Sequence, residues 1–239
     1  MTVSLELMVP LFLISAAVGV FASETKRQAL LTVFKPLTTV LLLAVVGSPR
    51  SQFAELVDVG IVFSLAGDVA LLSPSKKAFL AGLALFLVAH AAYIVGFILV
   101  FSAAISTGAT AGGASLPPVA AAAVVMAIVT VLLLRKLWAG SAGLRAPMVG
   151  YALALALMVV SAIAATAVGS GEMRVSTTNA LVVVSPIGAV GAALFYASDA
   201  SLAVDRFARP IKHAPLLTLG LYWLGQLGIA LAARFTAAG

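Results

Sequence analysis

Long apolar runs, broken at intervals by charge, Pro or Gly, dominate the chain. Crossing a hydrocarbon core about 30 Å thick takes about 20 apolar residues in a helix that rises 1.5 Å per residue. Eight runs meet that length, near 3 to 22, 30 to 47, 56 to 73, 78 to 101, 117 to 138, 146 to 168, 177 to 201 and 214 to 233. The predicted fold is therefore all-α, a polytopic membrane protein of eight transmembrane helices in one integral membrane domain. Laying the chain over itself with an offset of four spans aligns Ala66-Gly67-Asp68-Val69-Ala70-Leu71 with Ala197-Ser198-Asp199-Ala200-Ser201-Leu202. That echo points to two parallel four-helix halves.

Composition agrees with a bilayer as the solvent. Apolar residues make up 63% of the chain and charged ones 9%, with a mean hydropathy of +1.19. Soluble domains carry roughly 45–50% and 25%, so this chain cannot coat a water-facing surface with charge. The absence of Cys excludes iron–sulfur clusters, thiolate zinc sites and cysteine nucleophiles. A net charge of +6 invites a nucleic-acid reading, but the bases stand in short runs between spans, where they set topology and meet anionic head groups. No nucleic-acid partner is expected.

Ten of the fourteen Lys and Arg residues fall in the loops after spans one, three, five and seven: Lys26, Arg27, Lys76, Lys77, Arg135, Lys136, Arg145, Arg206, Arg209 and Lys212. Arg50, Arg174 and Arg234 fall on the other side, and Lys35 lies within span two. The positive-inside rule then puts both termini away from the cytoplasm. The first span begins with no basic residue and one acidic one, Glu6, the reverse of a secretory signal, so it is expected to stay attached. The uncharged stretch from Ser102 to Pro118, rich in Gly, Ser, Thr and Ala, suits a flexible external connector.

Ionisable groups at membrane depth are costly and call for a reason. Lys35 lies eight residues beyond Arg27, Asp68 eight before Lys76 and Asp199 seven before Arg206. At 1.5 Å per residue, all three sit about 10–12 Å from the basic loops, at a depth one pocket can share. His90 and Tyr93 lie deeper, about 20–24 Å in, on one face of span four with Phe86 and Phe97. Each residue also has a plain structural reading. Lys35 fits a side chain that snorkels to the interface, the aspartates fit helix ends solvated by a thinned bilayer, and His90 with Tyr93 fits a packing pair. Only His90 of the two histidines is in a span, so a three-histidine zinc site is unavailable. No Ser stands in a G-x-S-x-G frame, which leaves a serine-hydrolase triad unsupported.

Taken in order, Lys35-Pro36-Leu37-Thr38-Thr39, Gly67-Asp68-Val69-Ala70-Leu71-Leu72, Phe79-Leu80-Ala81-Gly82 through Phe86 and His90 to Tyr93, and Ser198-Asp199 with Leu202-Ala203 and Arg206-Phe207 resemble the YhhN family of membrane proteins. The likeness runs from about residue 30 to 210. It implies lysoplasmalogenase activity, hydrolysis of the vinyl-ether bond of a lysoplasmalogen to a fatty aldehyde and a glycerophospho-head group, in a bacterial inner membrane. It also implies Asp68 and Asp199 as the catalytic pair.

The chemistry suits such a pair. Enol-ether hydrolysis starts with a proton delivered to the β-carbon and passes through an oxocarbenium ion that water captures. Two carboxylates in a poorly hydrated pocket divide those tasks, one as acid and one as anionic stabiliser, with no metal or cofactor required. Lys35 and Arg206 are candidates to hold the head-group phosphate, His90 and Tyr93 to tune the acid or position water, and the stripe from Phe86 to Phe97 to line an acyl channel. A lysophospholipid substrate and membrane lipids are the expected partners. The rival from another class is a proton-coupled or lipid transporter whose carboxylates carry protons; it predicts accumulation driven by a pH gradient without chemical turnover.

Overall fold

A computed structural model of the protein describes residues 4–48, 51–106, 116–169 and 186–236. Its elements are α-helices: α1 (Leu5–Glu24), α2 (Gln28–Val46), α3 (Gln52–Ala70), α4 (Lys76–Ser106), α5 (Leu116–Leu137), α6 (Arg145–Gly169), α7 (Ile187–Phe207) and α8 (Ala214–Phe235). There is no strand among the described residues. Seven helices are long and apolar enough to cross a membrane. The exception, α3, matches α2 in length but carries Glu55, Asp58 and Asp68 within its 19 residues.

Local chemistry explains where helix ends depart from the apolar pattern. Ser51 caps α3 by accepting the Ala54 N–H at 3.2 Å, so the helix starts at Gln52, before its apolar run. Ser75 accepts the Ala78 N–H in the same way ahead of α4. The end of α7 moves furthest. The segment Leu202 to Phe207 holds no helix breaker before Pro210, so the helix continues past the expected end at 201 and takes Arg206 into its last turn. Residues 177–185, expected to begin this span, lie outside the described residues. So do Arg50 and Arg174 of the charge count and positions 107–115 of the uncharged connector.

Seven helices close a ring in the order α1, α2, α3, α4, α6, α7, α8, with α8 packed back on α1. Because α8 also touches α2 and α3, it leans inward across the ring. Outside, α5 rests on α6 and α7 and turns Val124, Val125, Ile128, Val131 and Leu132 outward, as lipid solvation permits. The first helix is part of the ring: Phe12, Ser15, Gly19 and Ala22 are buried, and Ser15 Oγ hydrogen-bonds Thr38 Oγ1 of α2 at 2.7 Å.

The α7–α8 seam is the tightest. A Cβ built on Gly225 would lie 2.7 Å from the Phe195 backbone nitrogen, and one on Gly191 would lie 2.6 Å from the Gly225 carbonyl oxygen. Without side chains at these points the two backbones meet directly, as small residues allow in membrane bundles. One turn further along the seam, Ser198 Oγ donates to the Thr218 carbonyl at 2.8 Å. That contact fixes the face of α7 carrying Asp199 against the face of α8 carrying Tyr222.

Candidate active site

A cavity of about 370 Å³ opens among the helix ends that carry the basic loops. Its wall takes residues from α1, α2, α3, α4, α6, α7 and α8, and most of it is apolar. Five charged side chains interrupt the apolar lining: Lys35, Asp68, Asp199, Asp205 and Arg206. Lys35, Asp68 and Asp199, separated by up to 164 positions in the chain, are thus brought to one space.

Asp68 is 1% exposed and surrounded by donors. The Lys35 ammonium lies 3.4 Å from Oδ1, while Oδ2 accepts from Thr39 Oγ1 at 2.6 Å and from the Tyr222 hydroxyl at 2.8 Å. Lys35 is itself only 7% exposed, so it pairs inside the protein and does not snorkel to the interface. A buried ion pair persists when further hydrogen bonds satisfy it, and Thr39 and Tyr222 provide them. Pro36, directly after Lys35, removes one rung of the α2 hydrogen-bond ladder beside the pair.

Asp199 stands across α7 in different company. It is half-buried and accepts one hydrogen bond, from the Tyr151 hydroxyl of α6 at 2.5 Å. No cation pairs with it among the described residues. Met148, Leu202, Ala203 and Tyr222 line the same cavity beside it.

Beneath the two carboxylates an aromatic cluster holds the tyrosines in place. The Phe195 ring lies 4.7 Å from His90, 5.2 Å from Tyr222 and 6.3 Å from Phe86, in tilted or edge-on arrangements that aromatic rings favour. His90 also meets the Tyr151 ring at 5.3 Å, and its Nδ1 is 2.5 Å from the Phe86 carbonyl oxygen. A directed hydrogen-bond chain runs through the same layer. The Tyr93 hydroxyl donates to Gln226 Oε1 at 2.6 Å, Gln226 Nε2 donates to the Tyr222 hydroxyl at 3.4 Å, and Tyr222 donates to Asp68.

His90 and Tyr93 are therefore not on the cavity wall. Both are fully buried behind it: His90 is linked to Asp199 through Tyr151, and Tyr93 to Asp68 through Gln226 and Tyr222. The Phe86 to Phe97 stripe divides likewise: Phe86 lines the cavity, whereas Phe97 packs on Phe53 at 5.1 Å in the core. Arg206 is at the mouth, its guanidinium 3.7 Å from the centroid of the Phe79 ring. Tyr151, Tyr222 and Gln226 are site residues that a search for charge in the spans passes over. The available signal was their type, since all four tyrosines fall within helices and Gln226 stands one turn beyond Tyr222.

Among the described residues, no three His, Cys, Asp or Glu side chains gather to hold a metal ion. The arrangement offers proton transfer and charge stabilisation from carboxylates and phenols, beside an apolar volume that opens toward cations. No curated protein and no solved structure matches the chain. The model of the YhhN family does match it, over residues 30–233, a stretch that includes both carboxylates, Lys35 and every tyrosine of the site, and the chain is a member of that family.

Proposed function

We propose that this protein is a lysoplasmalogenase-like hydrolase that cleaves the vinyl-ether bond of a single-tailed phospholipid within the membrane. The observation that carries this reading is the unequal surroundings of two carboxylates on one cavity wall. Asp68, with an ammonium and two hydroxyl donors, has the partners of an ionised carboxylate. Asp199, with one phenol and no cation, has the surroundings of a carboxyl that carries a proton.

The roles follow. Asp199 gives its proton to the β-carbon of the vinyl ether, and the C=C electron pair forms the new C–H bond. Asp68 stabilises the oxocarbenium ion that results. Water then bonds to the α-carbon and returns a proton to Asp199, which restores the acid. The hemiacetal collapses as its C–O bond to glycerol breaks and its hydroxyl proton passes to the departing oxygen, leaving aldehyde and glycerophospho-head group. Tyr151 and Tyr222 position the two carboxyl groups.

Placement in the membrane supports the same reading. A head group held at Arg206, seven residues beyond Asp199, leaves the vinyl ether about two helical turns inside, level with the carboxylates, while the tail reaches the apolar wall. On this reading all eight helices span a bacterial inner membrane, the basic end faces the cytoplasm and both termini face away. The Asp68 and Asp199 segments, on helices of the same direction, then belong to two parallel four-helix halves that each supply one carboxylate.

The direct test is mass spectrometry of a lysoplasmalogen incubated with detergent-purified protein, beside an ester-linked lysophospholipid control. Aldehyde release from the vinyl ether alone, lost in Asp68→Asn and in Asp199→Asn, is the expected result. Full activity in either variant would sink the assignment.

A further inference from the structure

The mouth of the cavity carries a carboxylate that the chemistry above does not use. Asp205 and Arg206 are neighbours in the last turn of α7, and both line the cavity where the basic loops gather. Asp205 is half-buried, and its Oδ1 accepts the backbone N–H of Ile211 at 2.7 Å. That bond ties the α7–α8 connection to the helix and fixes the carboxylate in position. Its Oδ2 has neither a hydrogen-bond nor an ion-pair partner among the described residues.

The free oxygen is unexpected, because the same end of the bundle holds most of the chain's cations. The nearest candidate does not fill it: Arg206 lays its guanidinium on the face of Phe79, 3.7 Å from the ring centroid, and pairs with no carboxylate among the described residues. Opposite charges therefore stand side by side on the rim without cancelling each other. A ligand that satisfies both must carry both signs, an anionic group for the guanidinium and a cation for the carboxylate, a few ångströms apart. A phosphate linked to a protonated amine through a short carbon chain meets that requirement.

We infer that Asp205 is the residue that reads the amine of a zwitterionic phospho-head group, while Arg206 holds its phosphate. The inference rests on the lysolipid reading above and adds a specificity determinant to it. A primary ammonium gives N–H donors to the free Oδ2 as well as charge, so an ethanolamine head group fits best. A choline head group keeps only the charge, and a glycerol head group offers neither.

Binding tests this without turnover. The probes are three uncleavable 1-O-alkyl lysolipids that differ only in their phosphoethanolamine, phosphocholine or phosphoglycerol head group, titrated calorimetrically into the full-length protein in detergent. The wild type is expected to bind the ethanolamine lipid about tenfold more tightly than the glycerol lipid, as one charge-assisted hydrogen bond allows. Asp205→Asn keeps an oxygen to accept the Ile211 N–H, so the fold is retained. It should bring the ethanolamine affinity down to that of the glycerol lipid, whose own affinity does not fall. Arg206→Gln should weaken all three probes together. Equal wild-type affinity for the ethanolamine and glycerol lipids would overturn the inference, as would an equal loss for all three in Asp205→Asn. Selective binding without aldehyde release would instead defeat the hydrolase reading and leave the head-group site standing.

Discussion

Asp68 and Asp199 line one cavity, yet their neighbourhoods have little in common. Around Asp68 the protein gathers an ammonium, a threonine hydroxyl and a tyrosine hydroxyl, each donating to the carboxylate. Behind Tyr222, Gln226 and Tyr93 continue the donation in one direction. Asp199 accepts from one phenol and has no ion-pair partner among the described residues. A charge is retained where donors compensate its desolvation, and a proton is retained where they do not. On the proposed reading, two identical side chains acquire different tasks from the helices that face them: α2 and α8 for Asp68, α6 for Asp199.

Removing the acid should break the comparison most completely. Asp199→Asn is expected to lower kcat by about a thousandfold, the usual worth of a positioned general acid, while a saturated alkyl lysolipid still binds. Stopped aldehyde assays and a binding titration read the two effects separately. Next comes Lys35→Met, which strands the Asp68 charge in the interior. It should cost about 3–5 kcal/mol of stability in detergent unfolding, and the double variant Lys35→Met/Asp68→Asn should recover most of that loss. No recovery would mean that Lys35 acts through packing and not through the pair.

Smaller changes sharpen the distinction. Tyr151→Phe removes the one hydrogen bond to Asp199 and should reduce kcat by about tenfold with KM little changed. Gln226→Leu touches neither carboxylate but releases the Tyr222 hydroxyl, and roughly a threefold fall in kcat is expected. A Gln226→Leu effect as large as that of Asp199→Asn would show that the chain through Tyr93 carries more of the chemistry than positioning explains.

Much of this arrangement was legible in the sequence because helix rise is constant. Counting residues from the basic loops puts Lys35, Asp68 and Asp199 at one depth and His90 and Tyr93 below them, and the cavity wall divides along that line. What counting cannot give is azimuth, the face each residue presents once seven helices close into a ring. Tyr151 meets Asp199, and not the lipid, because α6 packs between α4 and α7. Tyr222 reaches Asp68 because α8 leans inward on α3. The α7–α8 approach at Gly191 and Gly225 is a matter of two backbones meeting, which an apolar pattern does not encode. Charge was also an incomplete guide to polarity at depth: the hydroxyls and the amide of Tyr151, Tyr222 and Gln226 complete the site without adding charge to any span. The end of α7 departs from the expected boundary for a local reason: hydropathy falls after residue 201, whereas the helix runs on to Phe207, shortly before Pro210.

The most direct measurement is the isotopic composition of the aldehyde released from a lysoplasmalogen in D2O, quenched early and read by mass spectrometry. If Asp199 delivers a solvent-derived proton to the β-carbon, wild-type protein yields aldehyde with a single deuterium at carbon 2, and Asp199→Asn yields almost none. Aldehyde without deuterium, or labelled aldehyde from Asp199→Asn at the wild-type rate, would contradict the account.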